Sequence, residues 1–273
     1  MIINPKIIYT IAKKEFMDNI RNKWIIVISL FYIVFIILSA YFTGGQAGEN
    51  EIFGTIEATV GFAIFFTIIL IPIISIILGY STIVGEAETG SLSVVLAYPV
   101  KRVEVILGKF FGLGSILFVT PFIGFGISGI IIMASIGAEQ ALLLIIFIFL
   151  VILLGLMYLS FTILISAICK TRSRAIAGGL ILFFWIFIYN ILLQIAQLIV
   201  FDDLNSPNTL PDWIWASKII SPTDINIMAV ENAFNMNQLA PDWMGMGFLL
   251  IIQFLWIVVP LLLAIFFFKR RDI

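Results

Sequence analysis

The chain has 273 residues, of which 62% are hydrophobic and only 11% are charged, and its net charge is −1. Soluble domains carry about 25% charged residues, so this composition excludes a water-soluble protein, and the balanced charge gives no electrostatic reason to bind nucleic acid. Histidine is absent and Cys169 is the single cysteine, which removes the commonest general base and metal ligand and excludes an internal disulfide or a cysteine cluster.

The amino-terminal segment, residues 4–22, predicts an amphipathic helix. Asn4 supplies a capping side chain, and Pro5 suits the first helical position. Apolar residues then recur at helical spacing, with mostly charged residues on the other sides. These apolar residues are Ile8, Ile11, Phe16 and Ile20. We expect the helix to lie on the inner membrane surface; the alternative is a plain basic flank that only sets the topology.

Six long apolar windows follow, and each is free of charged side chains. A membrane-spanning helix needs about 20 largely apolar residues, and a charge at the bilayer centre costs about 2.5–3.5 kcal/mol. The windows are residues 24–42, 58–80, 110–136, 141–169, 175–201 and 244–268. The alternative, helices buried in a large soluble core, requires polar outer helices that the chain lacks. The first window is too long for a signal peptide, so we expect it to be retained.

The placement of the lysines and arginines predicts the orientation of these spans. With six spans, every basic residue except Lys218 falls on one side, and acidic residues dominate the other side. Because cytoplasmic loops carry an excess of basic residues, we expect both termini in the cytoplasm. An arrangement with one span missing would scatter the basic residues across both sides.

The segment between the second and third windows, residues 85–102, has the most specific pattern in the chain. Glu86 and Glu88 stand at its start, which suits the positive end of a helix dipole. Pro99 ends the helix that this pattern predicts over residues 86–98.

The predicted helix over residues 86–98 has one apolar face. Leu92, Val95 and Leu96 lie on it. A short helix held between two spans, with such a face, is suited to docking in the groove of a partner. The alternative is an ordinary polar loop.

This segment resembles the signature of permease subunits of type-two ATP-binding-cassette exporters. That signature is acidic-x-acidic-x-Gly-Ser/Thr-Leu, a few hydrophobic residues, a proline, a basic residue, and then Gly-Lys at the next span. The chain departs from it at Ser93, where an acidic residue is usual. The matching residues are Glu86, Glu88, Gly90, Ser91, Leu92, Pro99, Gly108 and Lys109.

The resemblance covers nearly the whole chain, because the six spans and the surface helix also match. It implies that residues 86–98 couple to a separate ATPase subunit, which binds ATP and Mg, while this chain holds no cofactor. The residues that receive this coupling role are Glu86, Glu88, Gly90, Ser91, Leu92, Val95, Leu96 and Pro99. Residues 96–100, Leu-Ala-Tyr-Pro-Val, are most similar to permeases of the nitrous-oxide-reductase copper-maturation type.

The predicted outer loop, residues 202–243, is too long for a simple turn. Ser221 and Pro222 predict the start of a short helix, and three tryptophans suit the membrane interface. They are Trp213, Trp215 and Trp243. One interpretation is a set of short helices that rest on the outer leaflet. The other is a lid over the export path or a dock for an extracytoplasmic partner.

Several sequence features are absent. No Gly-x-x-x-x-Gly-Lys-Ser/Thr loop occurs, so the chain cannot hydrolyse ATP by that route. No ionisable residue lies deep in a predicted span, which weighs against an ion-coupled carrier. The spans also lack the paired aspartates, the Ser–His pair or the zinc motif of an intramembrane protease.

We therefore expect an all-α, multi-pass protein of the plasma membrane. It has six spans in a single domain over residues 1–273, cytoplasmic termini, a surface helix and a cytoplasmic coupling helix. It would form the path of an ATP-driven exporter with a second permease copy or a related chain, in contact with membrane lipid. The alternatives are a non-transporting scaffold for an extracytoplasmic assembly and an ion-coupled carrier.

Overall fold

The computed structural model describes residues 3–44, 56–136, 141–200, 211–236 and 240–271. Within these ranges all regular secondary structure is helical, and no strand occurs. The helices are α1 (Pro5–Ile20), α2 (Lys23–Gly44), α3 (Ile56–Gly79), α4 (Val84–Glu88), α5 (Ser91–Ala97), α6 (Arg102–Ile136), α7 (Ala141–Ile168), α8 (Arg172–Val200), α9 (Asp212–Ser217), α10 (Pro222–Ala233) and α11 (Met246–Arg270), with 3-10 turns at Lys218–Ile220 and Asp242–Met244.

Five helical segments among the described residues are long and apolar enough to cross a membrane. They are Val60–Glu88, Arg102–Ile130, Ala141–Ile168, Arg172–Ala196 and Met246–Arg270. A sixth is counted if Pro5–Ile20 and Lys23–Ser39, which meet at an angle of 76°, form one bent span. The predicted number of six spans is therefore reached only if this bent pair counts as one span. The helix of the third span also begins earlier than predicted, at Arg102 and not at residue 110.

Helix α7 forms the centre of the bundle. Its sequence is apolar on every side, which is the pattern of a helix buried all round, and it packs against α3, α6, α8, α10 and α11. Small polar side chains connect it to its neighbours. Ser75 Oγ on α3 donates to Gly155 O at 3.0 Å, and Thr162 Oγ1 donates to Ser75 O at 3.3 Å. These contacts satisfy hydroxyl groups that have no water to bind.

The two ends of the chain lie at the same end of the bundle. The Asn4 amide, which precedes α1, donates to Glu104 Oε1 at 2.7 Å near the start of α6. Arg102 Nη1 donates to Phe268 O and, at 2.7 Å, to Arg271 O at the end of α11. The segment over residues 80–101 lies at this end too, because it leads directly into α6. We call it the coupling end.

Helix α1 begins as predicted, since the Asn4 side chain accepts a hydrogen bond from the Lys6 amide and Pro5 occupies the first turn. Its apolar side, however, packs on α6, where two glycines allow a close approach. A Cβ atom at Gly112 would lie 2.5 Å from Ala12 O, and one at Gly108 would lie 2.6 Å from Ile11 Cβ. Glycine is therefore required at both of these positions.

Helix α10 lies inside the bundle, not on its outer surface as one interpretation of the sequence expected. The hydroxyls of Tyr158 on α7 and Thr223 share a hydrogen bond of 2.7 Å. Asn226 Nδ2 donates to Leu150 O, also on α7, at 2.7 Å. At a rise of 1.5 Å per residue, Tyr158 lies about 15 Å along α7 from Ile168, the last residue of that helix. Helix α10 therefore runs alongside α7 well within the bundle. The capped start that was predicted at Ser221 is confirmed. Residues 202–210 and 237–239 of the predicted loop lie outside the described residues.

We predict that Gly112→Ala lowers the free energy of unfolding. The added methyl would overlap backbone atoms of Ala12, which cannot move unless α1 moves, and overpacking of this kind costs about 1–3 kcal/mol. A thermal melt of the detergent-purified protein measures the effect.

The matched control for this prediction is Gly126→Ala. It lies on the same helix, and nothing lies within 4 Å of its added methyl, so its midpoint should stay the same or rise. Equal midpoints for the two variants would contradict the close approach of α1 to α6.

Candidate functional site

The segment that carries the exporter-like pattern folds into two short helices and not one. Helix α4 ends at Glu88, and α5 begins at Ser91 after Gly90, whose φ of 75° is left-handed. Glycine adopts this conformation without a steric penalty. Helix α5 then ends at Ala97, before Pro99. The acidic pair of the pattern therefore lies on α4, and not at the start of the helix that bears the apolar residues.

The apolar face of α5 is turned toward the bundle. Leu92 is fully buried, and Val95 and Leu96 are half-buried against the same core. The opposite side of the segment exposes two large side chains to the surroundings: Val94 is 63% exposed and Tyr98 is 66% exposed. The surface that remains for a partner is thus the side of Val94 and Tyr98.

A lysine ammonium is buried between two carboxylates where α1, α4 and α6 meet. Lys109 is 2% exposed, and its Nζ donates to Glu15 Oε1 at 2.8 Å. It also lies 2.9 Å from Glu86 Oε2, while Lys14 Nζ lies 3.1 Å from Glu86 Oε1. Each buried charge therefore has a partner of opposite sign, which is the condition for burying charges in proteins. We call Lys14, Glu15, Glu86 and Lys109 the ion cluster.

The other acidic residue of the pattern connects α4 to α8. Arg172 Nε lies 3.1 Å from Glu88 Oε2, and the Arg172 amide donates to Glu88 Oε1 at 2.8 Å. On the buried side, Ser166 Oγ at the end of α7 accepts from the amides of Ile83 and Val84 at 3.0 and 3.1 Å. Helix α4 is thus attached to α1, α6, α7 and α8, and Glu86 and Glu88 act within the chain.

Three members of the ion cluster, Lys14, Glu15 and Lys109, were not selected as functional from the sequence. Lys109 was matched to the exporter-like pattern and counted among the basic residues that predict the orientation, but it received no role of its own. Glu15 had a usable signal, because its spacing from Ile8 and Ile11 puts a carboxylate on the apolar face of the predicted amphipathic helix. A charge on such a face requires a partner. Which partner it has depends on how the helices pack.

The three tryptophans proposed as an outer gate or partner dock differ in exposure. Trp213 is 52% exposed and Trp243 is 42% exposed. Trp215 is buried, and Lys218 Nζ lies 4.5 Å from the centre of its ring. The role of these side chains stays a prediction.

The predicted outer loop also buries polar groups at the start of α10. Burial raises the pKa of the Asp224 carboxyl above its usual range, and nearby Lys218 acts in the opposite direction. Further along α10 the buried polar side chain is a neutral amide. Asn226 Nδ2 donates to Gln253 Oε1 on α11 at 3.1 Å. The start of α10 is therefore joined to the bundle mainly by neutral hydrogen bonds, in contrast to the coupling end.

Comparison with known proteins identifies the family. The profile of a family described as ABC-2 family transporter protein matches residues 9–273. The chain belongs to this family. Two similar proteins are both named "Probable ABC transporter permease protein NosY". The one from Pseudomonas aeruginosa is 33% identical over 285 residues, covering 98% of this chain and 99% of the relative. The one from Stutzerimonas stutzeri is 33% identical over 282 residues, with coverages of 97% and 98%.

Family membership confirms the resemblance that residues 86–109 carried in the sequence. The permease is a multi-pass protein of the plasma membrane, and it is a transport component and not an enzyme. Membership in this family also implies an ATPase partner subunit in an ABC system.

We predict that Lys109→Met destabilises the permease by about 3–5 kcal/mol, the usual cost of removing one partner of a buried ion pair. The carboxylates of Glu15 and Glu86 would lose their buried cation. The midpoint of thermal unfolding in detergent measures the change. Lys170→Met removes an exposed basic side chain at the same end and should have little effect.

A double variant tests the physical cause of this destabilisation. Lys109→Met combined with Glu15→Met removes one of the two carboxylates that the single variant leaves without Lys109, so it should recover part of the lost stability. A double variant as unstable as Lys109→Met alone would show that the ion cluster is not the reason.

Proposed function

We propose that this permease is the membrane-spanning subunit of an ATP-driven exporter. Two copies form the translocation path, and two separate ATPase subunits, which bind ATP and Mg, contact the segment over residues 84–99. One observation carries this proposal. Val94 on α5 and Tyr98 just after it are exposed, while the preceding helix α4 is attached to α1, α6, α7 and α8.

The charge distribution supports a cytoplasmic position for the coupling end. The basic side chains Lys14, Arg102, Lys109, Arg172 and Arg271 all make their contacts there. Cytoplasmic segments of membrane proteins carry the excess of lysine and arginine. We therefore assign both termini and α5 to the cytoplasm, where ATPase subunits bind ATP.

Attachment of α4 gives a physical route from the ATPase to the spans. Force on Val94 and Tyr98 acts on α5, which is joined to α4 through the turn at Gly90. The ion cluster connects α4 to α1 and α6, and the contact between Glu88 and Arg172 connects it to α8. Because buried ion pairs are expensive to break, α1 and α6 move together with α4. The more exposed contact between Glu88 and Arg172 is a weaker connection to α8.

We predict that replacing Val94 and Tyr98 together by glutamate lowers recovery of the co-expressed ATPase subunit about tenfold or more. Exposed tyrosines often dominate the affinity of an interface, and each new carboxylate would have to be desolvated against the partner. Co-purification through a tag on the permease measures the loss.

Ile3→Glu is the matched control for this experiment. Ile3 is an apolar side chain at the same end of the bundle, 46% exposed, and lies outside the coupling segment. Its variant should retain the ATPase. Undiminished recovery with the double glutamate variant would contradict the proposed contact surface.

Helix α8 supplies the surface for a second copy. Only 18% of its apolar window is buried, against 61% for α7. On its open side Gln194 Nε2 donates to Asn190 Oδ1 at 2.8 Å, and both side chains are exposed. An exposed amide such as that of Gln194 can form further hydrogen bonds with a neighbouring helix, and side chains of this kind join helices together in membranes. The same face of a second protomer provides that neighbouring helix, and the two faces border the path.

We predict that single cysteines at Phe187, Ile191 or Gln194, in a Cys169→Ser background, form disulfide-linked dimers in oxidised membranes. The three positions share one face of α8. A disulfide requires Cα atoms within about 7 Å, so linkage reports direct approach of the two helices. Non-reducing electrophoresis measures it.

Cysteines at Leu255, Val259 and Leu262 are the controls. They have the same spacing on α11, and each of these side chains is between 48% and 60% exposed. They should stay monomeric. Linkage of this series at the same level, or none on α8, would contradict the proposed interface.

A further inference from the structure

An apolar groove opens on the outer face of the bundle, between α1 and α6. It encloses about 570 Å³. A second apolar crevice of about 230 Å³ continues from it along α2, and the two share Phe16 and Val119 in their linings. The groove exists because the glycine contact holds α1 against one side of α6 while Phe111 and Phe118, on another side, remain about half exposed.

The groove and crevice extend through the depth of one leaflet. Their linings run along α6 from Phe111 to Ile123, which is about 18 Å at the helical rise of 1.5 Å per residue. Half of the hydrocarbon core of a bilayer is about 15 Å thick. The lining therefore matches the depth over which one lipid tail lies in the leaflet.

A single cation lies in this lining. Among the described residues that line the groove and the crevice, Lys13 is the one with a charged side chain. Tyr9, one helical turn earlier, lines the groove beside it and is 68% exposed. Lys13 takes part in none of the ion pairs found among the described residues, whereas its neighbour Lys14 belongs to the ion cluster. An ammonium and a phenol are donors that suit a phosphate group.

We propose that this groove binds one anionic phospholipid from the leaflet at the coupling end. Its phosphate contacts Lys13 and Tyr9, and one acyl chain lies along α6 toward Ile123. The lack of any carboxylate among the described lining residues leaves nothing to pair with a choline or ethanolamine cation, so the site favours a net negative headgroup. The inference rests only on the membrane location of the permease and does not depend on the ATPase partner.

Native mass spectrometry of the full-length permease in detergent tests the headgroup contact. The protein is titrated with dioleoyl phosphatidylglycerol or with dioleoyl phosphatidylcholine. We expect the first phosphatidylglycerol to bind about fivefold more tightly, as one lysine near an anionic headgroup provides. Lys13→Glu should remove this preference. Lys23→Glu, which changes an exposed lysine outside the groove, should retain it.

Two results would overturn the headgroup contact. Equal affinity of the wild-type permease for both lipids would mean that only ordinary annular lipid occupies the groove. A preference that survives in Lys13→Glu would place the anionic site elsewhere.

The acyl-chain contact is tested separately at Ser115, an exposed residue in the groove. Ser115→Trp fills the groove and should weaken binding of phosphatidylglycerol, while Ser115→Ala, which removes only the hydroxyl, should not. Unchanged binding to Ser115→Trp would contradict the proposed position of the chain.

Cross-linking tests the other possible occupant, a second copy of the permease. Ser115→Cys in a Cys169→Ser background should stay monomeric in oxidised membranes. A disulfide-linked dimer would mean that a second copy covers the groove, and it would overturn the proposal.

Discussion

The buried ammonium of Lys109 is the interaction on which the coupling end depends. A charge removed from water is tolerated only beside a charge of opposite sign, and here the two carboxylates come from α1 and α4. The three elements are consequently fixed to one another. Displacement of α1 or α4 would remove one of the two carboxylate partners of Lys109, so the ion cluster makes this end of the permease a single mechanical unit.

The orientation of α5 follows from this attachment. With α4 fixed and joined to α5 through the left-handed Gly90, Leu92 is buried in the core, while Val94 and Tyr98 are exposed. Burial of one leucine contributes about 1.5–3 kcal/mol. The apolar face of α5 therefore stabilises the segment within the permease and is not the surface that a partner contacts. The same fixing of α1 leaves the groove along α6 open to the membrane.

The opposite end is joined differently. Helix α10 enters the bundle and is held by Tyr158, Asn226 and Gln253 through uncharged hydrogen bonds. Neutral hydrogen bonds contribute about 1 kcal/mol each, less than a fully paired buried charge loses when broken. The coupling end is therefore joined through buried charges, and the opposite end through neutral hydrogen bonds and the apolar packing of α10.

Local features were predictable from the sequence by itself: the helix starts at Asn4 and Ser221, the apolar spans, the gathering of basic residues at one end and the exporter-like pattern of residues 86–109. Each depends on neighbours within a few residues or on composition. Only the tertiary structure decided the pairing of Glu15 with Lys109, 94 residues apart, the inward turn of Leu92 and the burial of α10. These depend on which helices pack together, and side-chain periodicity shows that a helix has an apolar face without showing what covers it.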